Sequence, residues 1–318
     1  MAKKYVFVNN LEEKTPIYEM SEEELQRIQE ANEKVYEIYR VEELFSMLID
    51  NFYAFNNVII TYADRARLQS VLSEDYFQKR IAVNRAALNF FATLSIYLDY
   101  VYERIDGKET DADFSQNRNI QRCMVMRNYI QHVESFPVIS NTSYAKCDVD
   151  VTLSSVRFLV DSKSLKTDKL HKGTQERFLN SFDAGEQIDL YEIINCGMAE
   201  VITKQKQIRK LPLYEEYIKC KMFLLDMEEK ISTGGISVYH PSFYFESGDW
   251  QHFKTCFLAM DTIKFIDKNI SNYGCTSSFA DNFITTAPPD FVKKCTDEIF
   301  VPAIMQEKFR QKGEIRKG

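Results

Sequence analysis

The chain has 318 residues, of which 45% are apolar, and its 23 Phe and 18 Tyr supply enough apolar surface for a packed core, which excludes a disordered chain. Forty basic and 47 acidic residues leave a net charge of −7, which excludes a protein whose whole surface attracts nucleic acid, so any RNA contact requires a local basic patch. Seven cysteines without a close Cys-x-x-Cys pair favour reduced thiols, and the N-terminal apolar run is too short for a signal peptide, so we expect a soluble cytoplasmic protein.

The first part of the chain is predicted to be mainly helical. After a short strand at residues 4–8, Ser21 and Glu24 form a capping box that opens a long helix. Apolar residues at helical spacing form its core-facing stripe: Val35, Ile38, Tyr39, Val41, Leu44, Phe45, Leu48, Ile49 and Phe52. A second long helix is predicted from Ser73 to Ile105, with a buried side formed by Phe77, Ile81, Ala87, Leu88, Phe91, Leu94 and Leu98. Its apolar run carries polar residues, which indicates a buried helix and no membrane span.

A third helix is predicted to start near Asn117 and to stop before Pro137, which disfavours the α conformation at Phe136, so His132 lies in or near its last turn. Its last turns carry Arg127, Asn128 and His132. At about 100° per residue, Asn128 and His132 share a face, and Arg127 lies about 140° from His132. A long guanidinium can reach across this offset, so the three side chains form a candidate site.

Three such helices cannot each bury an apolar face alone, so we expect them to pack as an antiparallel bundle with a fourth helix from elsewhere in the chain. The two candidates for that helix are residues 189–210 and the helix that starts at Pro212 and continues to Glu229.

Residues 144–161 alternate as half-buried strands do, so we place a boundary between a helical region at 1–143 and an α+β region at 144–318. A loop at 163–185, strands at 236–239 and 243–245, a helix at 249–270, a last helix from Pro289 and a basic tail at 309–318 are predicted for the second region.

The Arg-Asn-x-x-x-His motif at the end of a helix resembles the Arg/His signature of the HEPN superfamily (higher eukaryotes and prokaryotes nucleotide-binding domain). Residues 84–91 and 97–99 are similar to the preceding long helix of HEPN-like bacterial proteins. The resemblance covers about residues 20–140. It implies a HEPN-like helical bundle in this part of the chain.

The resemblance also implies a function. In HEPN nucleases two protomers bring their motifs together and cut RNA without metal, by attack of the ribose 2′-hydroxyl on the adjacent phosphate. Carried to this chain, His132 handles a proton, Arg127 holds the phosphate charge, and Asn128 orients them. The implied protein is a homodimeric endoribonuclease of the kind found in bacterial defence or toxin–antitoxin systems, with RNA and an antitoxin or other protein as partners. No cofactor is expected.

Two other interpretations stay open. The same fold with the same motif suits a non-catalytic module that binds a nucleotide, RNA or a protein. The motif is also compatible with a purely structural role, in which Arg127 pairs with a carboxylate of the bundle and His132 caps carbonyls at the helix end.

For the weaker sequence features we prefer a structural interpretation to a functional one. The basic run at 204–210 and the basic tail are interpreted as solvated segments rather than RNA-docking sites. His252 and Cys256, four apart on a predicted helix, are interpreted as a core-edge pair rather than metal ligands, because a second pair is missing. The chain lacks the glycine-rich motifs of nucleotide hydrolases and the nucleophile elbow of serine hydrolases.

Overall fold

The computed structural model describes residues 4–8, 16–67, 75–102, 117–132, 136, 138–148, 151–165, 185–232, 243–246, 249–255 and 258–274. These residues are mainly helical. Their seven helices are α1 (Glu22–Arg67), α2 (Asp75–Val101), α3 (Arg118–His132), α4 (Ser162–Leu165), α5 (Leu190–Ile208), α6 (Pro212–Ser232) and α7 (Met260–Gly274). Their seven strands are β1 (Lys4–Val8), β2 (Pro16–Ser21), β3 (Ile139–Asp148), β4 (Val151–Asp161), β5 (Gln187–Asp189), β6 (Phe243–Glu246) and β7 (Asp249–Thr255).

The strands form two antiparallel sheets. The first has four strands in the order β2-β1-β6-β7, and Tyr5 of β1 is paired with Met20 on one side and with Glu246 on the other. The second has three strands in the order β3-β4-β5, in which Leu159 of β4 faces Ile139 and Asp189. The predicted strands at the start of the chain, at 144–161 and at 243–245 are therefore confirmed, although β3 begins earlier than predicted.

The chain divides into two compact units. Unit 1 contains the described residues of 1–43 and 207–274, and unit 2 contains those of 44–206. These divisions fall inside α1 and near the end of α5. The boundary placed after residue 143 from sequence falls inside β3, so it does not coincide with the division between the units.

Unit 2 contains four long helical segments: residues 44–67 of α1, then α2, α3 and most of α5. Phe45 lies 6.0 Å from Tyr97 between ring centroids, and Phe52 lies 6.3 Å from Phe90. Because the residue number rises along α1 as it falls along α2, the two helices are antiparallel. The predicted antiparallel bundle is thus present as a helical architecture.

The fourth helix of unit 2 is α5, one of the two candidates from sequence. Glu200 accepts a hydrogen bond from Asn119 of α3, and the Cys123 thiol donates to the Ile193 carbonyl at 3.3 Å, so α3 and α5 are antiparallel. The Tyr97 hydroxyl of α2 donates to Gln205 at 2.7 Å. The predicted apolar face of α5 is buried, with Tyr191, Ile194, Met198, Val201 and Ile202 at 6% exposure or less.

Unit 1 packs residues 22–43 of α1 against α6 and α7. The Arg27 guanidinium lies 4.5 Å above the Phe223 ring of α6, and the Tyr39 ring lies 5.2 Å from that of Phe265 in α7. The capping box predicted at the start of α1 is confirmed. The Glu24 amide donates to Ser21 Oγ at 3.2 Å, and the Ser21 amide donates to Glu24 Oε2 at 3.0 Å.

The predicted buried face of α2 is wrong in its N-terminal part. Phe77, Ile81 and Leu88 are 68%, 57% and 41% exposed, whereas Ala87, Phe91, Leu94 and Leu98 are buried as predicted. Apolar residues occur on more than one face of this helix, so their periodicity alone could not show which face is buried. Contacts with α1 and α3 decide which face is covered.

Among the described helices, α2 is also long and apolar enough, from Phe77 to Val101, to cross a membrane. Of its most apolar stretch, 61% is buried inside the protein. Core helices of soluble proteins pass the same length and composition test, so this finding is compatible with the expected soluble protein.

The helix predicted at 249–270 is wrong in its first half. Residues 249–255 form β7, which pairs with β6 in a register that places Phe253 opposite Phe245, and α7 begins only at Met260. In this segment, backbone pairing with β6 prevails over the helical pattern of the sequence. Part of the loop predicted at 163–185 is also helical, as α4. The predicted strand at 236–239, the last helix from Pro289, the basic tail and Pro137 lie outside the described residues.

Candidate functional site

The third helix carries the candidate site, and hydrogen bonds define its start. At its start the Gln121 amide donates to the Asn117 carbonyl at 2.9 Å, and Glu200 of α5 accepts from the Ile120 amide at 3.1 Å. Such a carboxylate satisfies amides that have no partner within the helix. The described part of α3 extends to His132, and Phe136 is not helical, so His132 lies in or near the last turn as predicted.

Arg127 and Asn128 lie in the final turns of α3, and both are half-buried. Arg127 NH1 donates a hydrogen bond of 2.9 Å to Asn128 Oδ1. The acceptor is neutral, so the contact orients the guanidinium without cancelling its charge. Within the part of the chain that the structure describes, the ion pairs do not include Arg127.

The structure therefore brings together two of the three predicted site residues. The His132 backbone is described as the end of α3, but its side chain lies outside the description, so its position relative to Arg127 stays a prediction. Tyr129, expected to be a packing residue, is 1% exposed, and its ring stacks on Phe136 at 5.6 Å with an interplanar angle of 7°.

Asn84 of α2 holds the chain just beyond the end of α3. Its amide nitrogen donates to the Phe136 carbonyl at 3.3 Å, and its oxygen accepts from the Phe136 amide at 2.7 Å. Sequence reasoning noted Asn84 only as part of the family resemblance. The available signal was a polar amide inside an apolar stretch, since such a residue is buried only with hydrogen-bond partners.

The two helices that meet at Phe136 are rich in basic residues, although the Glu192 and Glu200 carboxylates of α5 lie near the N-terminal half of α3. The α3 helix contains three Arg and no acidic residue. Between its first residue, Asp75, and Asp99, α2 contains Lys79, Arg80 and Arg85 and no acidic residue. Lys79 is buried with its ammonium 5.7 Å from the Tyr62 ring centre, whereas Arg85 is exposed. An acidic protein that binds RNA would need such a basic segment.

The basic run at 204–210 is a weaker candidate. Gln205 is fully buried and accepts from the Tyr97 hydroxyl, and Arg209 is bound to Glu42 within unit 1. These two residues belong to the packed interior rather than to a docking surface. The expectation of a solvated helix end is therefore wrong for Gln205 and Arg209.

A cleft of about 290 Å³ lies between α3 and α5, lined by Asn117, Asn119, Cys196, Ala199, Glu200, Thr203 and Lys204. Its thiol is a poor nucleophile, because burial and then the nearby Glu192 carboxylate raise the pKa of Cys196 to about 11. Its carboxylate, Glu200, already binds Asn119 and the Ile120 amide. Neither this thiol nor this carboxylate is therefore an activated group for catalysis.

His252 lies in β7, so the helical spacing assumed for His252 and Cys256 is wrong, and Cys256 lies outside the described residues. Among the residues that the structure describes, no group of three His, Cys, Asp or Glu side chains could hold a metal ion.

The chain matches no protein-family model, no curated protein and no solved structure. The HEPN resemblance therefore rests on the residues named above, and the function drawn from it is a proposal.

Proposed function

We propose that the chain is a metal-independent endoribonuclease of the HEPN type whose site is formed by Arg127, Asn128 and His132. The observation that supports this proposal is the 2.9 Å contact between Arg127 and Asn128 in the last turns of a helix that ends at His132. The amide oxygen orients the guanidinium and leaves its charge intact. A guanidinium held in this way can bind a phosphate through two parallel hydrogen bonds.

In the proposed reaction, the ribose 2′-oxygen attacks the adjacent phosphorus and the bond to the 5′-oxygen of the next nucleotide breaks. The 2′-hydroxyl loses a proton and the leaving oxygen gains one. His132 transfers protons in this reaction, because imidazole titrates near neutral pH. Arg127 stabilises the charge that develops on the phosphate oxygens. The products are a 2′,3′-cyclic phosphate and a 5′-hydroxyl.

We further propose that two copies of the chain face each other through their α3 ends in the cytoplasm, because one Arg and one His form half of a HEPN site. The proposed biological setting is bacterial defence or a toxin–antitoxin pair. Light scattering with and without RNA tests the assembly, and a monomer under both conditions contradicts it.

The second candidate is a non-catalytic module of the same architecture that binds a nucleotide, RNA or a protein. The basic segments of α2 and α3 and the Arg127–Asn128 contact would serve binding equally well. The two functions differ in one respect, since only cleavage requires proton transfer by His132.

The test is incubation of end-labelled total RNA with the wild-type protein, His132→Ala and the control His252→Ala, whose substitution lies in β7 of unit 1. We expect His132→Ala to slow cleavage by about 100- to 10,000-fold. The control should match the wild type, cleavage should persist in EDTA, and the products should carry cyclic phosphate ends. RNA that is bound but left intact by the wild type supports the binding module. Activity that disappears with EDTA and returns with magnesium contradicts the mechanism.

A further inference from the structure

We infer that Asn84 is a positioning residue that fixes the His132 end of the site, an inference that rests on the proposed function. Asn84 lies in the middle of α2 and is 8% exposed. A buried amide costs free energy unless its donors and its acceptor are satisfied. The partners that satisfy it therefore indicate what the residue does.

The Asn84 amide uses both its donor and acceptor groups. Its nitrogen donates to the Arg80 carbonyl at 2.9 Å and to the Phe136 carbonyl at 3.3 Å, and its oxygen accepts from the Phe136 amide at 2.7 Å. Two antiparallel hydrogen bonds to one residue resist both its translation and its rotation. Asn84 therefore fixes the backbone of Phe136 against α2.

The Phe136 ring is held as well. It stacks on Tyr129 of α3 at 5.6 Å and meets Phe91 of α2 edge-on at 6.1 Å with an interplanar angle of 78°. His132 stands three residues after Tyr129 and four before Phe136. Phe136, four residues after His132, is consequently attached to α2 by Asn84 and Phe91, and its ring is stacked on Tyr129, three residues before His132.

Packing alone does not require an amide at position 84. An apolar side chain of similar volume would fill the space between α2 and Phe136, but it could not bind both backbone groups of Phe136. In HEPN-type cleavage a general acid or base must lie within hydrogen-bond reach of the proton that it transfers. An amide that fixes the chain beyond α3 meets this need, because the last turn of a helix otherwise frays.

The experiment compares Asn84→Ala with the matched control Asn51→Ala. The Asn51 amide donates to Thr93 Oγ1 at 2.8 Å, so it also joins another helix to α2 in unit 2, but through α1. Both variants are assayed below their melting temperatures. We expect Asn84→Ala to lower kcat by roughly 10- to 100-fold, since small misplacements of a catalytic group have effects of this size, and to change KM less because Arg127 is retained. Asn51→Ala should leave both parameters within about twofold.

A second readout does not depend on activity. In NMR titrations of histidine ring protons, with His132 assigned by its absence in His132→Ala, the titration midpoint of His132 should shift in Asn84→Ala and not in Asn51→Ala. If the wild type cleaves no RNA, the proposed nuclease fails while this titration still tests the positioning. Where Asn84→Ala does not fold, Asn84→Asp serves, because it keeps the acceptor for the Phe136 amide, and its effect should have the same direction. A His132 titration and kcat equal to those of Asn51→Ala overturn the inference.

Discussion

Arg209 in unit 1 and Arg127 in unit 2 are both held by side-chain hydrogen bonds, but their acceptors differ in charge. Arg209 donates from Nε and NH2 to the two carboxylate oxygens of Glu42, at 2.9 and 2.7 Å, and Glu42 is fully buried. The Tyr214 hydroxyl adds a third hydrogen bond to Glu42 at 2.7 Å. Arg127 instead donates to the neutral amide of Asn128.

The difference separates a structural arginine from a candidate ligand-binding one. A buried carboxylate neutralises Arg209 and occupies its bidentate face, so its charge serves the interior of unit 1. Arg127 is oriented by a neutral amide oxygen, which leaves the rest of its guanidinium available for an anion. Substitutions that remove each partner should therefore affect different properties.

The largest effect is expected for Glu42→Ala. Arg209, whose side chain is 11% exposed, would lose its counter-ion, and the Tyr214 hydroxyl would lose its acceptor. Removing one partner of a buried ion pair costs about 3–5 kcal/mol in free energy of unfolding. Urea denaturation at pH 7 measures this loss, with exposed Glu33→Ala as the control that should change stability by less than about 0.5 kcal/mol. If Glu42→Ala costs as little stability as the control, the contacts of Glu42 with Arg209 and Tyr214 do not stabilise unit 1.

Arg127→Ala should have the opposite profile. We expect RNA cleavage to fall by about 100- to 1,000-fold, as when one stabilising donor is removed from an active site, with a stability loss of about 1 kcal/mol or less. Arg127→Lys should recover part of the rate, because it keeps the charge but lacks the planar fork. Exposed Arg40→Ala in unit 1 is the control and should match the wild type in a rate assay. If Arg127→Ala destabilises the protein as much as Glu42→Ala does, the two arginines have the same structural role.

A smaller, pH-dependent effect is expected for Asp189→Asn, at the start of α5. Asp189 Oδ1 accepts from the Tyr191 amide at 2.9 Å, and burial raises the pKa of Asp189 from 3.8 to about 6, although Arg157 and backbone amides oppose the shift. The pKa of Asp189 is higher in the folded protein than in the unfolded chain. The stabilisation that comes from protonated Asp189 is therefore complete below about pH 4 and is lost as the pH rises through about 6. The Asn variant, which retains a capping oxygen, should be more stable than the wild type at pH 8 by about 1–3 kcal/mol and nearly equal at pH 4.

Thermal unfolding of both proteins from pH 4 to pH 8 measures this difference. A stability gap that does not change with pH would contradict the raised pKa of Asp189 and leave only a change in helix capping.

The sequence by itself determined features that depend on residues close together in the chain. Ser21 and Glu24 open α1 because their side chains reach amides within one turn, and Pro212 starts α6 because its ring suits the first helical turn. The position of His132 in or near the last turn of α3 was predicted in the same way. These local rules also placed Arg127 and Asn128 in the same helical turn, where the structure finds them in contact.

The tertiary structure alone decided features that depend on distant partners. The buried phase of α2 follows from its contacts with α1 and α3, and β7 is a strand because β6 pairs with it. Asn84 binds Phe136 across 52 residues of sequence, and Arg209 meets Glu42 across 167. Local propensity carries no information about such partners, because each of these side chains is equally suited to solvent until the fold brings its partner within hydrogen-bond distance.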